Sequence, residues 1–419
     1  MIYKLLLVAV LISKISIAQT PLFDSLIQAN THPFSLSNNK LSGKGIDFLI
    51  ERTKKTQFVN ICEEHSAFEL PNLTTEFFKI LQENHDFRYL ALEQDPLTIR
   101  STSEGKYKGN KDSLFALTKR YPRSFTFRSD QDLTMIADIS SLSKGKHNPI
   151  WGCDNAIGVS HYLRALLPLA PNEKSKQIVS ELLQESALYE DSAKGTTHYI
   201  SERIDTKKDS LIHLLKDLYQ APKGSRTEWL IDVLQQSVEI FQMYRGNRKY
   251  VPYPYGHGHH NQIVREEFMK ERFLDEYHQA LKKDKKIPKV LSSLGHWHLM
   301  KGFGPNNHIT LGNFLHSFAR YNKMESLTID VVLTDAPGTK LYDALMKSPI
   351  WKQFLKHNPD QGWVFIDLVP FRYYLQRLNA KKEIAETDRQ SFENLFIHYD
   401  VLLFIKNGKG TYNWKESSN

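Results

Sequence analysis

Cysteine is scarce in this chain, with only Cys62 and Cys153 among 419 residues. So few thiols exclude a disulfide-stapled scaffold, and no zinc-finger spacing accompanies them. Long hydrophobic runs are missing beyond the first residues, so no membrane span is expected. No aromatic-plus-basic RNA signature occurs, and nucleic acid is not an expected partner. The G-x-S-x-G elbow is absent, which disfavours a common serine hydrolase. H-E-x-x-H and the P-loop are absent as well. No G-x-G-x-x-G follows the first strand, so a nucleotide cofactor has no visible cradle.

What is present reads as an ordinary globular protein. Apolar residues make up 41% and charged residues 24%, enough for a sizeable buried core in one large α/β domain or two smaller ones. Residues 1–18 read as a cleavable signal peptide. Lys4 gives the positive start, Leu5 to Ile12 the short apolar stretch, and Ser16-Ile17-Ala18 the small-x-small cleavage site. An exported protein, periplasmic or extracellular, beginning near Gln19 is expected. The formal charge of +8 falls to +6 without Lys4 and Lys14, and only Lys282-Lys283-Asp284-Lys285-Lys286 concentrates it. Such a run marks a solvated helix end more often than a binding patch, leaving a weak pull toward anionic surfaces. Export permits a disulfide, but two buried thiols packing as small apolar groups is the simpler reading of Cys62 and Cys153.

Seven short apolar runs look like buried strands: Gln57–Ile61, Tyr89–Glu93, Pro149–Cys153, Lys289–Leu294, Leu327–Leu333, Trp363–Leu368 and Val401–Ile405. They lack long alternation, as strands covered on both faces do. Helical spacing separates them, for example Leu73, Phe77, Phe78 and Leu81 within Asn72–Gln82. The pattern predicts an α/β fold with a mainly parallel central sheet flanked by helices. About 157–285 reads as a helical insertion between the third and fourth of these strands. Within it, Arg245–His260 is rich in Tyr, Pro, Gly and His and is expected to be a loop. The His257, His259 and His260 cluster there fits an exposed loop better than a metal site.

Chemistry concentrates at the ends of these runs. In an α/β sheet, ligands bind beyond the carboxyl ends of parallel strands. The first run leads into Glu63-Glu64-His65, the second ends on Glu93, and the fourth runs into Gly295-His296-Trp297-His298. A histidine titrates near neutral pH, so His65 is the leading candidate for a general base. Glu63 or Glu64 would orient it. Glu69 shares a helix face with His65 if the helix begins at the motif. His296 and His298 would point to one side on a strand, a spacing able to hold a metal; on a loop that rule fails. Arg265 opens a helix, where a charged start is common, but it is also suited to a carboxylate or a developing oxyanion. Asp154 and Asp367 follow further strands and are candidate crevice groups, though either alone is more often a cap.

These pieces resemble the erythromycin esterase-like family, within a superfamily that also holds Tiki/TraB and ChaN-type haem-binding proteins. The matching segments are Cys62-Glu63-Glu64-His65 with Glu69, Leu92-Glu93, Gly152-Cys153-Asp154, Arg265-Glu266…Met269, Gly295-His296-Trp297-His298 and the last strand, Tyr399–Ile405. Cys62 stands where the family pattern has glycine, and the esterase version has one more residue before the histidine. The resemblance implies a hydrolase of esters, lactones or related acyl bonds. Its catalytic groups would be Glu63, Glu64, His65, Glu93, Arg265 and His298, with Glu69, Asp154 and His296 at the substrate. A small-molecule substrate is implied, and no cofactor is required. A divalent metal held by the same groups stays open, as does haem. The alternatives are a haem- or small-ligand-binding protein and a metal-dependent peptidase. The oligomeric state is not legible.

Overall fold

The computed structural model describes residues 23–37, 40–65, 67–102, 105–121, 123–143, 148–192, 210–250, 259–304, 307–333, 349–356, 362–380 and 386–405. The expected signal peptide lies outside them. Its strands are β1 (Thr31–Ser37), β2 (Lys40–Ser42), β3 (Thr56–Glu63), β4 (Tyr89–Leu92), β5 (Ile150–Gly152), β6 (Val290–Gly295), β7 (Glu325–Leu333), β8 (Trp363–Asp367) and β9 (Val401–Ile405). They form one sheet in the order β2-β1-β8-β9-β7-β3-β6-β4-β5.

The expected strands all form, but the sheet is mixed and not mainly parallel. Pairings from β9 through β7, β3, β6 and β4 to β5 are parallel. Those joining β9 to β8, β8 to β1 and β1 to β2 are antiparallel. This reversal removes Asp367 from consideration. It ends β8 opposite Val401, the first residue of β9, and so lies at the other edge of the sheet from Glu63 and Glu93.

Why the apolar runs are unbroken is visible in β3. Val59 and Ile61 enter one buried cluster while Phe58 and Cys62 enter another, so both faces are covered. The first face carries α1 (Lys44–Thr53), α2 (Leu70–His85) and, beyond α3 (Pro96–Thr102), α4 (Asp130–Leu142). Ser129 and Asp132 cap α4 reciprocally, as an N-terminal capping box does. Cys62 and Cys153 are both free and buried.

Helices alone are described between β5 and β6: Ser160–Leu166, Glu173–Ser192, Ser210–Tyr219, α5 (Arg226–Tyr250) and α6 (His259–Asp284), with one short 3-10 turn. The loop expected from Arg245 is corrected at its edges, because α5 continues to Tyr250 and α6 begins at His259. Gly246 costs a helix about 1 kcal/mol against alanine, but the Arg and Lys residues around it are good helix formers. Residues 251–258, with His257, lie outside the described residues. Helix α6 places Met269, Phe273, Tyr277 and Ala280 against the sheet, at helical spacing. It gives Phe268 to a separate helical cluster. Then come α7 (His296–Leu299) and α8 (Leu311–Tyr321). Among the described residues, no helix is long and apolar enough to cross a membrane.

Candidate functional site

Strand register assembles the site. Glu63 pairs with Gly295, and Leu92, just before Glu93, lies between Ser293 and Gly152. The carboxyl ends of β3, β4, β5 and β6 therefore meet along one edge. Helix α6 contributes from above: Arg265 lies four residues before Met269, and Glu266 seven before Phe273, so both project toward the sheet.

Glu93 is the hub of this edge, only 4% exposed. Arg265 Nη2 donates to its Oε1 at 2.8 Å, and the Gly295 N–H donates to its Oε2 at 2.9 Å. His298 Nε2 lies 3.5 Å from Oε1 and His65 Nε2 lies 3.8 Å from Oε2. Burial alone would raise the Glu93 pKa, but His298, Arg265 and His65 together hold it well below the usual carboxylate range. Arg265 also forms a two-pronged pair with Asp154, at 2.8 and 2.7 Å. Burial opposes the guanidinium charge there, yet Asp154 and Glu93 outweigh it and raise the Arg265 pKa.

The two imidazoles differ in kind. His298 is buried with Glu266 on one side, 2.5 Å from Nδ1, and Glu93 on the other. Burial would lower its pKa, but these carboxylates raise it to about 10, so it is an imidazolium at neutral pH. Arg265 Nη1 approaches His298 Nε2 to 3.3 Å, which brings two donors together over the shared Glu93 oxygen. His65 has 45% of its side chain exposed and stacks on Phe127, with ring centroids 4.7 Å apart. Its Nδ1 lies 3.3 Å from Glu63 Oε1, and Ser293 Oγ fixes the other Glu63 oxygen at 2.9 Å. Burial again opposes charge, and Glu63 with Glu93 wins, leaving the His65 pKa raised. With Nδ1–H directed at Glu63, the neutral tautomer keeps Nε2 free to accept a proton. One atom each from Glu63, His65 and Glu93 lies within 4.8 Å of the others. That donor set suits a divalent ion with an open position, provided the ion shares Glu93 with Arg265 and the Gly295 amide.

Three solved structures share this architecture. The erythromycin esterase EreC, a mutant in its open conformation, aligns with a TM-score of 0.53 and 14% identity, over 92% of this chain and 99% of that one. A succinoglycan biosynthesis protein gives 0.52 and 13%, over 91% and 96%. A Bacillus cereus protein gives 0.50 and 13%, over 92% and 97%. This chain has the erythromycin esterase fold. The resemblance read from the short motifs is thus borne out as a likeness of fold. No protein-family model matches the sequence, and no curated protein does.

Within the erythromycin esterase fold, this chain separates its two C-terminal-edge histidines. Both belong to the short helix α7, where residues two apart face away from each other, so the same-side placement of a strand does not apply. His298 joins Glu93. His296 turns to Asp330 on β7, 2.5 Å from Nδ1, with Glu64 Oε2 3.7 Å from its other nitrogen. Burial opposes this charge too, but Asp330 and Glu64 raise the His296 pKa to about 10. Neighbouring Glu63 and Glu64 thereby serve different histidines. Glu69 does not share a helix face with His65, because α2 starts only at Leu70 and His65 lies in a turn. Glu69 lines a separate hollow with Phe68 and Asp130. Sequence reasoning missed Glu266 and Asp330 as partners of the histidines. Asp330 had left a signal, being an acid in the middle of an apolar strand, which is costly unless paired.

Proposed function

We propose that this chain is a hydrolase of esters, lactones or related acyl bonds, with His65 as the base that activates water. The observation that carries this reading is Glu93, one buried carboxylate lying within 4 Å of an exposed imidazole, a buried imidazolium and a guanidinium. His65 Nε2 takes a proton from water, and the oxygen attacks the acyl carbon. Arg265 and His298 face the developing oxyanion, and His298 supplies the proton that the leaving oxygen needs. Glu63 holds the His65 ring, and Glu93 fixes Arg265 and His298 in register. Asp154 acts through Arg265. Glu64 and His296 stand beside the crevice as a further acid–imidazole pair for substrate contact.

The helices of about 157–285, read as an insertion, would cap the crevice over a small-molecule substrate. The first 18 residues would direct export, and mass spectrometry of the mature N-terminus tests that. Substrate hydrolysis is tested with a mixed ester and lactone panel, run on the mature chain and on His65→Ala. Turnover should fall about 100-fold or more in the variant if His65 is the base. A loss of less than a few-fold would remove His65 from that role.

The cluster of Glu63, His65 and Glu93 supports a second reading, a metal-dependent hydrolase at the same place. A bound divalent ion would supply Lewis acidity at the acyl oxygen. Activity that survives chelator in the wild type favours the first reading, and activity lost to chelator and restored by metal favours the second.

A further inference from the structure

Away from the crevice, α6 borders a cavity of about 520 Å³. It shares no lining residue with the Glu93 site. Glu276, Gln279 and Lys283 of α6 line it, more than ten residues after Arg265, which is about 16 Å along a helix. Tyr89, the first residue of β4, also lines it, whereas the crevice begins where β4 ends.

Its lining is mainly polar, with Tyr89, Trp151 and Trp229 as its aromatic members. Tyr89 and Trp151 are buried, with ring centroids 4.8 Å apart, and Trp229 of α5 is half-buried. Arg100 of α3 lies over the Trp229 ring, 4.4 Å from its centroid. The same guanidinium donates twice to Glu276, at 3.1 and 2.9 Å, and both bonds converge on Oε1. Oε2 therefore keeps acceptor capacity beyond that pair. Burial raises the Glu276 pKa against the pull of Arg100, as befits a carboxylate set into a wall. Arg226 and Lys283 stand exposed at the rim.

We propose that this cavity is a second ligand site, for a hydroxyl-rich carboxylate of the size of an acidic sugar. The volume lies within the range of small-molecule sites. Trp229, half-buried, is the ring that keeps apolar surface for a sugar ring, on the part that Arg100 does not cover. Glu276 and Gln279 can meet hydroxyls, while Arg226 and Lys283 match a carboxylate, Arg226 with the forked geometry that suits it. An extended apolar molecule would leave these polar groups unsatisfied.

The test is isothermal titration of the full mature chain with glucuronate and with glucose, the uncharged counterpart. Saturable glucuronate binding, weaker for glucose by about ten-fold or more, is expected. Arg226→Glu should weaken glucuronate binding by about ten-fold or more, with an unchanged melting temperature showing that the fold is intact. His65→Ala should leave binding unchanged. The proposal fails if glucuronate shows no saturable binding up to about 50 mM. It fails equally if glucose binds as well, if Arg226→Glu binds like wild type, or if His65→Ala abolishes binding, which would place the ligand in the crevice.

Discussion

Replacing Gly295 with alanine puts one methyl group where the His65 ring now lies. A Cβ there would stand 2.8 Å from His65 Nε2, 2.9 Å from Cε1 and 3.3 Å from Glu93 Oε2. The Gly295 backbone, at φ −55° and ψ 152°, is open to alanine, so the change acts through contact and not through strain. Carbon contacts relax near 3.5 Å, so the ring must retreat by roughly 0.7 Å. His65 is exposed and can move outward, which keeps the stability cost near the lower end of overpacking, about 1 kcal/mol. The position of the base suffers more. A displacement approaching 1 Å can cost about 100-fold in turnover. Retreat also separates His65 from Glu93, whose charge helps to raise its pKa, so the imidazole should titrate closer to the ordinary value. The assay is NMR titration of His65 beside hydrolysis of the ester panel. Gly295→Ala placed in a His65→Ala background should lose nothing further. An unchanged His65 titration, with turnover within about three-fold of wild type, would refute the reasoning.

His298 and His296, with pKa values raised to about 10, should stabilise the fold most below about pH 6.5, with the contribution lost as pH climbs through 10. Urea unfolding from pH 6 to 10 should show that decline, and His298→Gln should make it shallower; an equal slope counts against the His298 part. Glu266→Gln removes one carboxylate from His298, so its pKa should drop from about 10 toward 6.5, with turnover falling and substrate affinity held. A His298 titration that stays near 10 would show that Glu266 does not hold the charge. Phe58→Ala opens a fully buried space beside Phe273 and should cost about 3–5 kcal/mol in denaturant unfolding. A cost below about 1 kcal/mol would mean that the core collapses around the gap.

The parallel strands were legible because burial on both faces leaves an unbroken apolar run, as in Val401–Ile405. β1 was not, since Ser35 and Ser37 alternate with Phe34 and Leu36, and Pro33 argues against a strand. Pro33 is tolerated because β2 pairs only with Ser35–Ser37, leaving that half of β1 without an outer neighbour. Strand direction was hidden for a different reason: β8 reads as apolar whichever way its neighbours run. The groups around Glu93 came through because strand ends and acids coincide in the sequence. The parting of His296 from His298 did not, because a two-residue spacing carries opposite meanings on a strand and on the single helical turn that forms here.

The central place of β3 also sets a timetable. Its two neighbours in the sheet, β6 and β7, come late in the chain, and Ser293 follows Glu63 by 230 residues. At about 5–20 residues per second of synthesis, β3 waits roughly ten to fifty seconds before either edge can be paired. An apolar strand unpaired for so long invites aggregation, so the nascent chain depends on being shielded until its last third emerges. β9, which sits between β7 and β8, then arrives last of all. The long-range pairings make folding slow once synthesis is complete, and a chain truncated before β9 would leave a gap within the sheet itself.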